Sequence, residues 1–261
     1  MAKNVRVLVL RAAGTNCDEE TKYAFEKAGA TGECIHVNRV LERPALLDKF
    51  HILVIPGGFT YGDDIASGKV LANQLRFNLA EAVSKFIDDG KLALGICNGF
   101  QVMVRAGLLP RLRGNALEAT LTTNDSNRFE DRWIYMKANA SRCVFVKPGE
   151  DCYLPVAHGE GKFLVKDKSI MSALRKNGQI VFQYTDAQGR LGAGFPWNPN
   201  GSLDDIAGIC DPTGRIFGLM PHPERHVEPT QHPRWTREGL KKQGDGLIMI
   251  QNGVRYVRRS L

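Results

Sequence analysis

The 261-residue sequence lacks several features that would place it in a special class of protein. It has no apolar run near the roughly 20 residues that cross a bilayer, so no membrane protein is predicted. It has no internal repeat and no low-complexity linker, which argues against a solenoid. Its cysteines are few and far apart, a pattern of cytoplasmic enzymes rather than disulfide scaffolds: Cys17, Cys34, Cys97, Cys143, Cys152 and Cys210. The short N-terminal apolar run is better explained by a buried strand than by a signal peptide.

Basic residues are in moderate excess. Lys and Arg number 35 against 28 Asp and Glu, which gives a formal charge of +7. Such an excess is found in nucleic-acid binders, but here it is scattered, and the one compact cluster is Arg255, Arg258 and Arg259. The pattern favours a solvated basic surface or a face for an acidic partner over nucleic-acid binding.

The N-terminal half alternates strand and helix patterns. Val5–Leu10, Ile52–Ile55 and Leu92–Ile96 are continuous aliphatic runs, typical of strands that are buried on both faces. Helical spacing covers Asp18–Ala28 and Val70–Asp88. This order predicts a parallel sheet with helices on both faces.

The C-terminal half has shorter segments between turn signals such as Asn177-Gly178 and Pro212-Thr213-Gly214. Such spacing predicts antiparallel hairpins added to the sheet edge, built from Cys143–Val146, Ile180–Tyr184, Ala207–Cys210 and Ile216–Met220. The fold class is therefore α/β, with a flavodoxin-like, mostly parallel central sheet. Without a composition break, residues 1–261 are predicted to form a single domain.

A candidate nucleophile stands at the end of the third aliphatic run. In Gly95-Ile96-Cys97-Asn98-Gly99, the cysteine lies between a buried strand and a helix. A tight turn of this kind lifts the side chain clear of the sheet. The helix N-terminus favours a thiolate, and its free N–H groups can stabilise an oxyanion.

A candidate base follows the strand Ile216–Met220. His222 and Glu224 lie two residues apart, between prolines that keep the backbone extended. Glu224 can then accept the imidazole N–H and fix the tautomer of His222. A third turn, Pro56-Gly57-Gly58, ends another parallel strand, so a backbone N–H at Gly58 can reach the same edge of the sheet.

Two other motifs are decoys. The segment from Gly62 to Val70 resembles a phosphate-binding loop, but it is one residue too long and carries two acidic residues where phosphates would bind. His222, His226 and His232 could suggest zinc, but the intervening prolines prevent a helix that presents them together. No metal site is predicted.

The three turns, in this order, resemble the class I (triad) glutamine amidotransferases. Within that group the sequence is most similar to the glutaminase subunits of phosphoribosylformylglycinamidine synthase. The resemblance covers nearly the whole chain and rests on six stretches: RAAGTNCDEE (11–20), PGGFTYGDDIASGK (56–69), GICNGFQ (95–101), LTTNDSNRFEDRW (121–133), VAHGEGKF (156–163) and MPHPER (220–225).

The resemblance implies a mechanism and a set of partners. Cys97, His222 and Glu224 would be the catalytic triad, which releases ammonia from glutamine through a thioester. The N–H groups of Gly58 and Asn98 would form the oxyanion hole. Substrate contacts would come from Gln101, His158 and Gly159. The chain would need no cofactor of its own, since ATP and Mg²⁺ would bind a large synthetase subunit that acts on formylglycinamide ribonucleotide in purine biosynthesis, often joined by a small bridging subunit. The surfaces Phe59–Tyr61 and Asn124–Trp133 would lie near that interface.

Three alternatives remain at this stage. The same glutaminase chemistry could serve another acceptor, as in GMP, CTP or anthranilate synthesis, although the long PGGFTYGDD and AHGEGKF stretches argue against it. A cysteine hydrolase on a similar sheet would use the cysteine turn but would not explain Gln101 or His222-Pro223-Glu224. A basic binding module would leave the triad pattern as coincidence.

Overall fold

A computed structural model describes residues 4–114 and 116–261. It contains two β-sheets, one of nine strands and one of two. The strands are β1 (Arg6–Arg11), β2 (Thr31–His36), β3 (Ile52–Ile55), β4 (Leu92–Ile96), β5 (Ala119–Thr122), β6 (Glu130–Ala138), β7 (Cys152–His158), β8 (Lys162–Val165), β9 (Ile180–Thr185), β10 (Ile206–Cys210) and β11 (Ile216–Leu219).

The large sheet has the order β2-β1-β3-β4-β11-β10-β9-β6-β7. From β2 to β11 neighbouring strands are parallel, whereas β10, β9, β6 and β7 add antiparallel pairs. The predicted α/β class, with a mostly parallel core and antiparallel additions from the C-terminal half, is confirmed. The predicted placement of Ile216–Met220 at the sheet edge was wrong, because β11 pairs antiparallel with β10 but lies parallel to β4 at the centre of the sheet.

Helices cover this sheet, because β3 and β4 are fully buried and need packing on both faces. Helix α1 packs against α8, and α3 packs against α5. The helices are α1 (Asp18–Lys27), α2 (Val37–Glu42), α3 (Lys69–Asn78), α4 (Ala80–Asp88), α5 (Asn98–Arg105), α6 (Lys168–Lys176), α7 (Trp235–Glu238) and α8 (Asp245–Ser260). Within the described ranges, none of them is both long and apolar enough to cross a membrane.

Two sequence predictions of local structure were wrong. The helical pattern over Val70–Asp88 forms two helices, which are interrupted at Leu79 with φ −120° and ψ 9°. This break lets α3 pack on α5 while α4 packs on the 3-10 turn Pro44–Lys49. Cys143–Val146 forms a turn rather than a strand. Its backbone is held instead by the Val144 N–H bond to Gly214 and by α8, where Asn252 donates to the Phe145 carbonyl.

Candidate active site

Three neighbouring parallel strands end at one edge of the large sheet. Strand β4 lies between β3 and β11, with Ile55 opposite Gly95 and Leu219 opposite Ile96. The residues that follow these ends are Gly57-Gly58 after β3, Cys97 after β4 and His222 after β11. This edge, where the carboxyl ends of parallel strands meet, is the usual ligand site of an open α/β sheet.

Cys97 occupies a strained turn between β4 and α5. Its backbone has φ 51° and ψ −105°, an unusual conformation for a residue with a side chain. The first intrahelical bond of α5 runs from the Gln101 N–H to the Cys97 carbonyl at 3.1 Å. The preceding N–H groups, including that of Asn98, therefore have no partner within the helix. The Cys97 sulfur lies 3.6 Å from the Ala157 carbonyl oxygen on β7.

The two glycines that flank Cys97 are required by close packing. A Cβ at Gly99 would lie 1.8 Å from the Ile55 carbonyl oxygen, and one at Gly95 would lie 2.7 Å from the Gly99 carbonyl oxygen. The first turn of α5 therefore touches the backbone at the end of β3. This contact brings the nucleophile turn next to the Gly57-Gly58 turn.

Replacing Gly99 with alanine is expected to lower the free energy of unfolding by at least about 2 kcal/mol, because the methyl group overlaps backbone that cannot move aside easily. Thermal or urea unfolding of the purified chain measures this. Gly159→Ala is the matched control, since a Cβ at Gly159 would meet nothing within 4 Å. Equal stability of the two variants would contradict the packing argument.

His222 and Glu224 form a buried pair. The imidazole Nδ1 lies 2.6 Å from Glu224 Oε1, and both side chains are almost fully enclosed. Burial alone would lower the pKa of His222, but the negative charge of Glu224 and the Cys97 side chain outweigh it, so the pKa is raised well above its usual value. Among the described residues, His222 Nε2 has no hydrogen-bond partner. Since Glu224 takes Nδ1, the free nitrogen is the one that remains for Cys97.

Gly58 is held in a conformation that suits a backbone donor. Its φ is +144°, and a Cβ there would lie 2.7 Å from the Gly14 carbonyl oxygen. Hydrogen bonds on either side join this turn to the chain after β1, from the Phe59 N–H to Gly14 and from the Asn16 N–H to Gly57. An isolated bridge pairs Gly58 with Thr15, and the Gly58 N–H takes no part in these two bonds.

The Asn98 side chain ties the nucleophile turn to its surroundings. Its Oδ1 accepts from the Thr60 hydroxyl at 2.7 Å, and its Nδ2 donates to Gln101 Oε1 at 3.0 Å. Gln101 in turn donates through Nε2 to the Glu160 carbonyl at 2.5 Å. The predicted substrate residue Gln101 is therefore buried, with both ends of its amide engaged within the protein.

His158, which directly follows Ala157, is the last residue of β7, and Gly159 comes after it. The His158 Nδ1 is 3.1 Å from Asn124 Oδ1, while its Nε2 is buried with no partner in the described part of the chain. Burial, with a smaller contribution from His222, lowers the pKa of His158 to about 3. His158 is therefore neutral at physiological pH, as an uncharged donor or acceptor next to the triad.

A polar cluster that was not predicted from the sequence holds the loop after β3. Arg105 Nη2 lies 3.1 Å from Glu160 Oε2 and its Nε donates to the Ser67 carbonyl at 2.9 Å. Asp63 accepts from the Ser67 hydroxyl and from the Gly68 N–H. Asp63 and Glu160 occur within the quoted family stretches, whereas nothing in the sequence singled out Arg105. Within the segment that resembles a phosphate-binding loop, the Gly68 N–H donates to the Asp63 carboxylate and the Ser67 N–H donates to the Glu160 carboxylate.

Two exposed aromatic residues meet beside this edge. The rings of Phe59 and Phe129 are 6.2 Å apart, and each side chain is about half exposed. They belong to the two separate segments that the sequence analysis assigned to a partner interface. Large exposed apolar side chains that cluster in this way are typical of protein interaction sites.

Comparison with known proteins identifies the family. Residues 4–257 match the family model described as the CobB/CobQ-like glutamine amidotransferase domain. The subunit PurQ of phosphoribosylformylglycinamidine synthase from Dehalococcoides mccartyi is 50% identical over 256 residues, which cover 98% of each chain. The PurQ subunit from Archaeoglobus fulgidus is 40% identical, again over 98% of both chains.

Solved structures agree with the sequence matches. A chain in the structure of PurLQS from Thermotoga maritima superposes with a TM-score of 0.73 at 29% identity, covering 97% of this chain and 99% of that one. A putative GMP synthase subunit from Thermoplasma acidophilum, at 14% identity and a TM-score of 0.59, shares the fold. The predicted enzyme class and resemblance are thus confirmed. The chain belongs to the CobB/CobQ-like glutamine amidotransferases and, within them, to the PurQ family of phosphoribosylformylglycinamidine synthase subunits.

Proposed function

We propose that this glutaminase subunit hydrolyses glutamine with Cys97 as nucleophile, His222 as the proton-transfer group and Glu224 as its orienting partner. One observation carries the assignment. His222 is bound through Nδ1 to the Glu224 carboxylate at 2.6 Å, while its other nitrogen is unpaired among the described residues and Cys97 ends the adjacent strand. This is the arrangement that a nucleophile, a base and an orienting acid require.

The reaction then proceeds in two balanced steps. Cys97 transfers its proton to His222, and the thiolate attacks the side-chain carbonyl carbon of glutamine. The N–H groups of Gly58 and Asn98 donate to the resulting oxyanion. Imidazolium gives its proton to the departing nitrogen, so ammonia leaves and a γ-glutamyl thioester remains. Neutral His222 next takes a proton from water, and the water oxygen attacks the thioester carbonyl carbon. The C–S bond then breaks, which releases glutamate and leaves the Cys97 thiolate beside the His222 imidazolium.

Substrate positioning involves three further residues. Gln101 and His158, both buried, would supply uncharged polar contacts to the substrate, and Gly159, which has open space around it, would leave room for the substrate backbone. The amide of Gln101 has internal partners in this structure. Beyond these two bonds the amide retains one N–H on Nε2 and one lone pair on Oε1, which would be available to glutamine.

The released ammonia is used by a synthetase subunit, which is a separate chain. Residues 1–261 form one glutamine amidotransferase domain, supported by a single large sheet that draws strands from both halves. ATP and Mg²⁺ bind the large synthetase subunit, which aminates formylglycinamide ribonucleotide, and a small bridging subunit completes the complex. The similar Thermotoga maritima chain comes from PurLQS, in keeping with this assembly. The protein works in the cytoplasm, a location in keeping with its six free thiols.

The function is tested by following glutamate release and ribonucleotide amination together. The chain is assayed alone and then with the synthetase subunits, ATP and formylglycinamide ribonucleotide. We expect glutamate and aminated product to form in equal amounts, with glutamate release stimulated by the complete mixture. Release that never responds to the synthetase would reopen the identity of the acceptor, because the glutaminase chemistry would then stand without this pathway.

Docking near the active-site edge is expected to depend on Phe129. Phe129→Asp places a charge in the exposed aromatic pair and should weaken the complex, so that glutamine-dependent amination falls roughly 10-fold or more. Amination with added ammonium salt should be retained, since the synthetase is unaltered. Phe77→Asp is the control, because Phe77 is also highly exposed. It lies beside Pro44 and Leu47, which precede β3, and is therefore at the opposite edge of the sheet. Equal effects of both changes would contradict this docking face.

A further inference from the structure

A second cysteine lies beside the catalytic histidine. Cys17 stands just before α1 and is 1% exposed. Its backbone is fixed on two sides, since its N–H donates to the Gly57 carbonyl at 3.3 Å and its carbonyl accepts from the Thr21 hydroxyl at 2.5 Å. Residue 17 is thereby anchored to the turn that precedes the proposed oxyanion donor Gly58.

The Cys17 sulfur has three polar neighbours. It lies 4.0 Å from His222 Nδ1, it accepts from Arg225 Nη2 at 3.2 Å, and its S–H donates to Asn16 Oδ1 at 3.1 Å. Arg225 is itself held by an ion pair with Glu20 on α1, at 2.9 Å. The sulfur therefore connects α1 to both ends of the segment His222–Arg225.

Space around the histidine is filled by this sulfur. A Cβ at Gly57 would lie 2.8 Å from His222 Cε1 and 3.0 Å from the Cys17 sulfur. The imidazole ring, the sulfur and the Gly57 backbone are thus in mutual contact. Any change that removes the sulfur leaves a cavity beside the ring, near Nδ1.

Cys17 is expected to be a neutral thiol at physiological pH. Burial raises the pKa of Cys17 to about 11, and the charge of Glu224 adds to the effect. A neutral sulfur beside Nδ1 provides a weak acceptor for the imidazolium proton without a second thiolate that would compete with Cys97 for it. Oxygen in its place would be smaller and would lie closer to Cβ.

We propose, on the basis of the proposed function, that Cys17 is a positioning residue that holds the His222 ring between Glu224 and the Gly57 turn in the orientation that Cys97 requires. It acts through the histidine and has no contact with the reacting carbonyl in this role. Nothing in the family comparison assigns a function to this residue.

Several titratable groups near His222 affect its pKa and therefore bear on a pH test. Glu224, Cys97 and Cys17 interact with the His222 ring, and the neutral His158 lies close enough to be influenced by its charge. Arg225 donates to the Cys17 sulfur and is itself paired with Glu20. Loss of the sulfur removes an acceptor that favours imidazolium, so the pKa of His222 should fall in a Cys17 variant.

The experiment compares Cys17→Ala and Cys17→Ser with the wild type in the complete synthetase complex. We expect kcat for glutamine hydrolysis to fall roughly 10-fold in the alanine variant, because a small misplacement of a catalytic group is costly. KM for glutamine should stay nearly constant. The basic limb of the kcat profile should move to lower pH, and serine should restore part of the rate. NMR titration of His222, one of six histidines, follows the same change without turnover.

Cys143→Ser is the matched control, since Cys143 is also a buried thiol but interacts with Cys210. A Cys17→Ala enzyme whose kcat, pH profile and His222 titration all equal those of the wild type would overturn the proposal. A lower yield of active enzyme with an unchanged profile would assign Cys17 to folding alone and would also overturn it. If alanine prevents folding, the serine variant decides by the same criteria. Retained activity in Cys97→Ala would instead refute the proposed function itself.

Discussion

Replacement of Cys97 by alanine is expected to reduce glutamine-dependent amination by roughly 10⁴-fold or more, as is typical when the nucleophile of a catalytic triad is removed. We expect the variant to retain the fold, because alanine is smaller than cysteine and a Cβ is already accommodated at this backbone, whose φ is 51°. Without the sulfur no thioester can form. Water would then have to attack the glutamine amide directly, with only the oxyanion donors and His222 to assist.

The complex offers an internal control for this prediction. Amination with ammonium salt bypasses the glutaminase, so a correctly assembled Cys97→Ala complex should retain that activity. Cys34→Ala is the matched thiol control, since Cys34 lies on β2, three strands from β4 in the sheet, and its sulfur contacts the Asp18 carbonyl. Mass spectrometry of the wild type during turnover should also detect a glutamyl adduct on Cys97. Glutamine-dependent product at a near-normal rate in Cys97→Ala would refute the thioester mechanism.

The parallel half of the sheet could be predicted because its physics is local. Runs such as Leu92–Ile96 are apolar along their whole length since both faces are buried, and Pro56-Gly57-Gly58 marks the end of Ile52–Ile55. The residues proposed as nucleophile, base and acid stood out in the sequence for the same reason, since each follows such a run by one to five residues. Parallel pairing then brings these turns together without further information.

The antiparallel half depends on contacts that are distant in sequence. Strands β6 and β7 pair with each other, yet β6 also pairs with β9, some 45 residues later. The position of Cys143–Val146 is decided by α8 and by the turn at Gly214, so its aliphatic pattern was misleading. The break at Leu79 likewise depends on distant contacts, because the two helices on either side of it pack against different elements.

The same limit applies around the residues of the proposed triad. Cys17 lies 205 residues from His222 in the chain but 4.0 Å from it in space. Arg105 reaches Glu160 across 55 residues. A single sequence carries no signal for such pairs, because neither residue type nor spacing is distinctive. They emerge only when the fold brings the loops after β1, β3 and β7 to one edge.

Glu224→Gln is expected to lower kcat for glutamine hydrolysis by roughly 10² to 10⁴-fold, since a neutral amide can neither stabilise the imidazolium nor fix the correct tautomer. Burial acts to lower the pKa of His222, and the carboxylate of Glu224, bound to Nδ1, is the main cause that raises it. The imidazolium that donates to ammonia is lost as the pH rises through that pKa. Removing the carboxylate lowers the pKa, so the basic limb should move to lower pH.

Glu228→Gln provides a matched control for the loss of one carboxylate in the same segment. Glu228 is bound to Lys27 and Tyr23 at the surface rather than to the histidine. Its replacement should leave both kcat and the pH profile of the complex unchanged. A basic limb that stays in place in Glu224→Gln would mean that the carboxylate does not control the charge of His222. The raised pKa would then have to come from Cys97, and the triad would reduce to a thiol and imidazole pair whose acid partner only holds the ring in place.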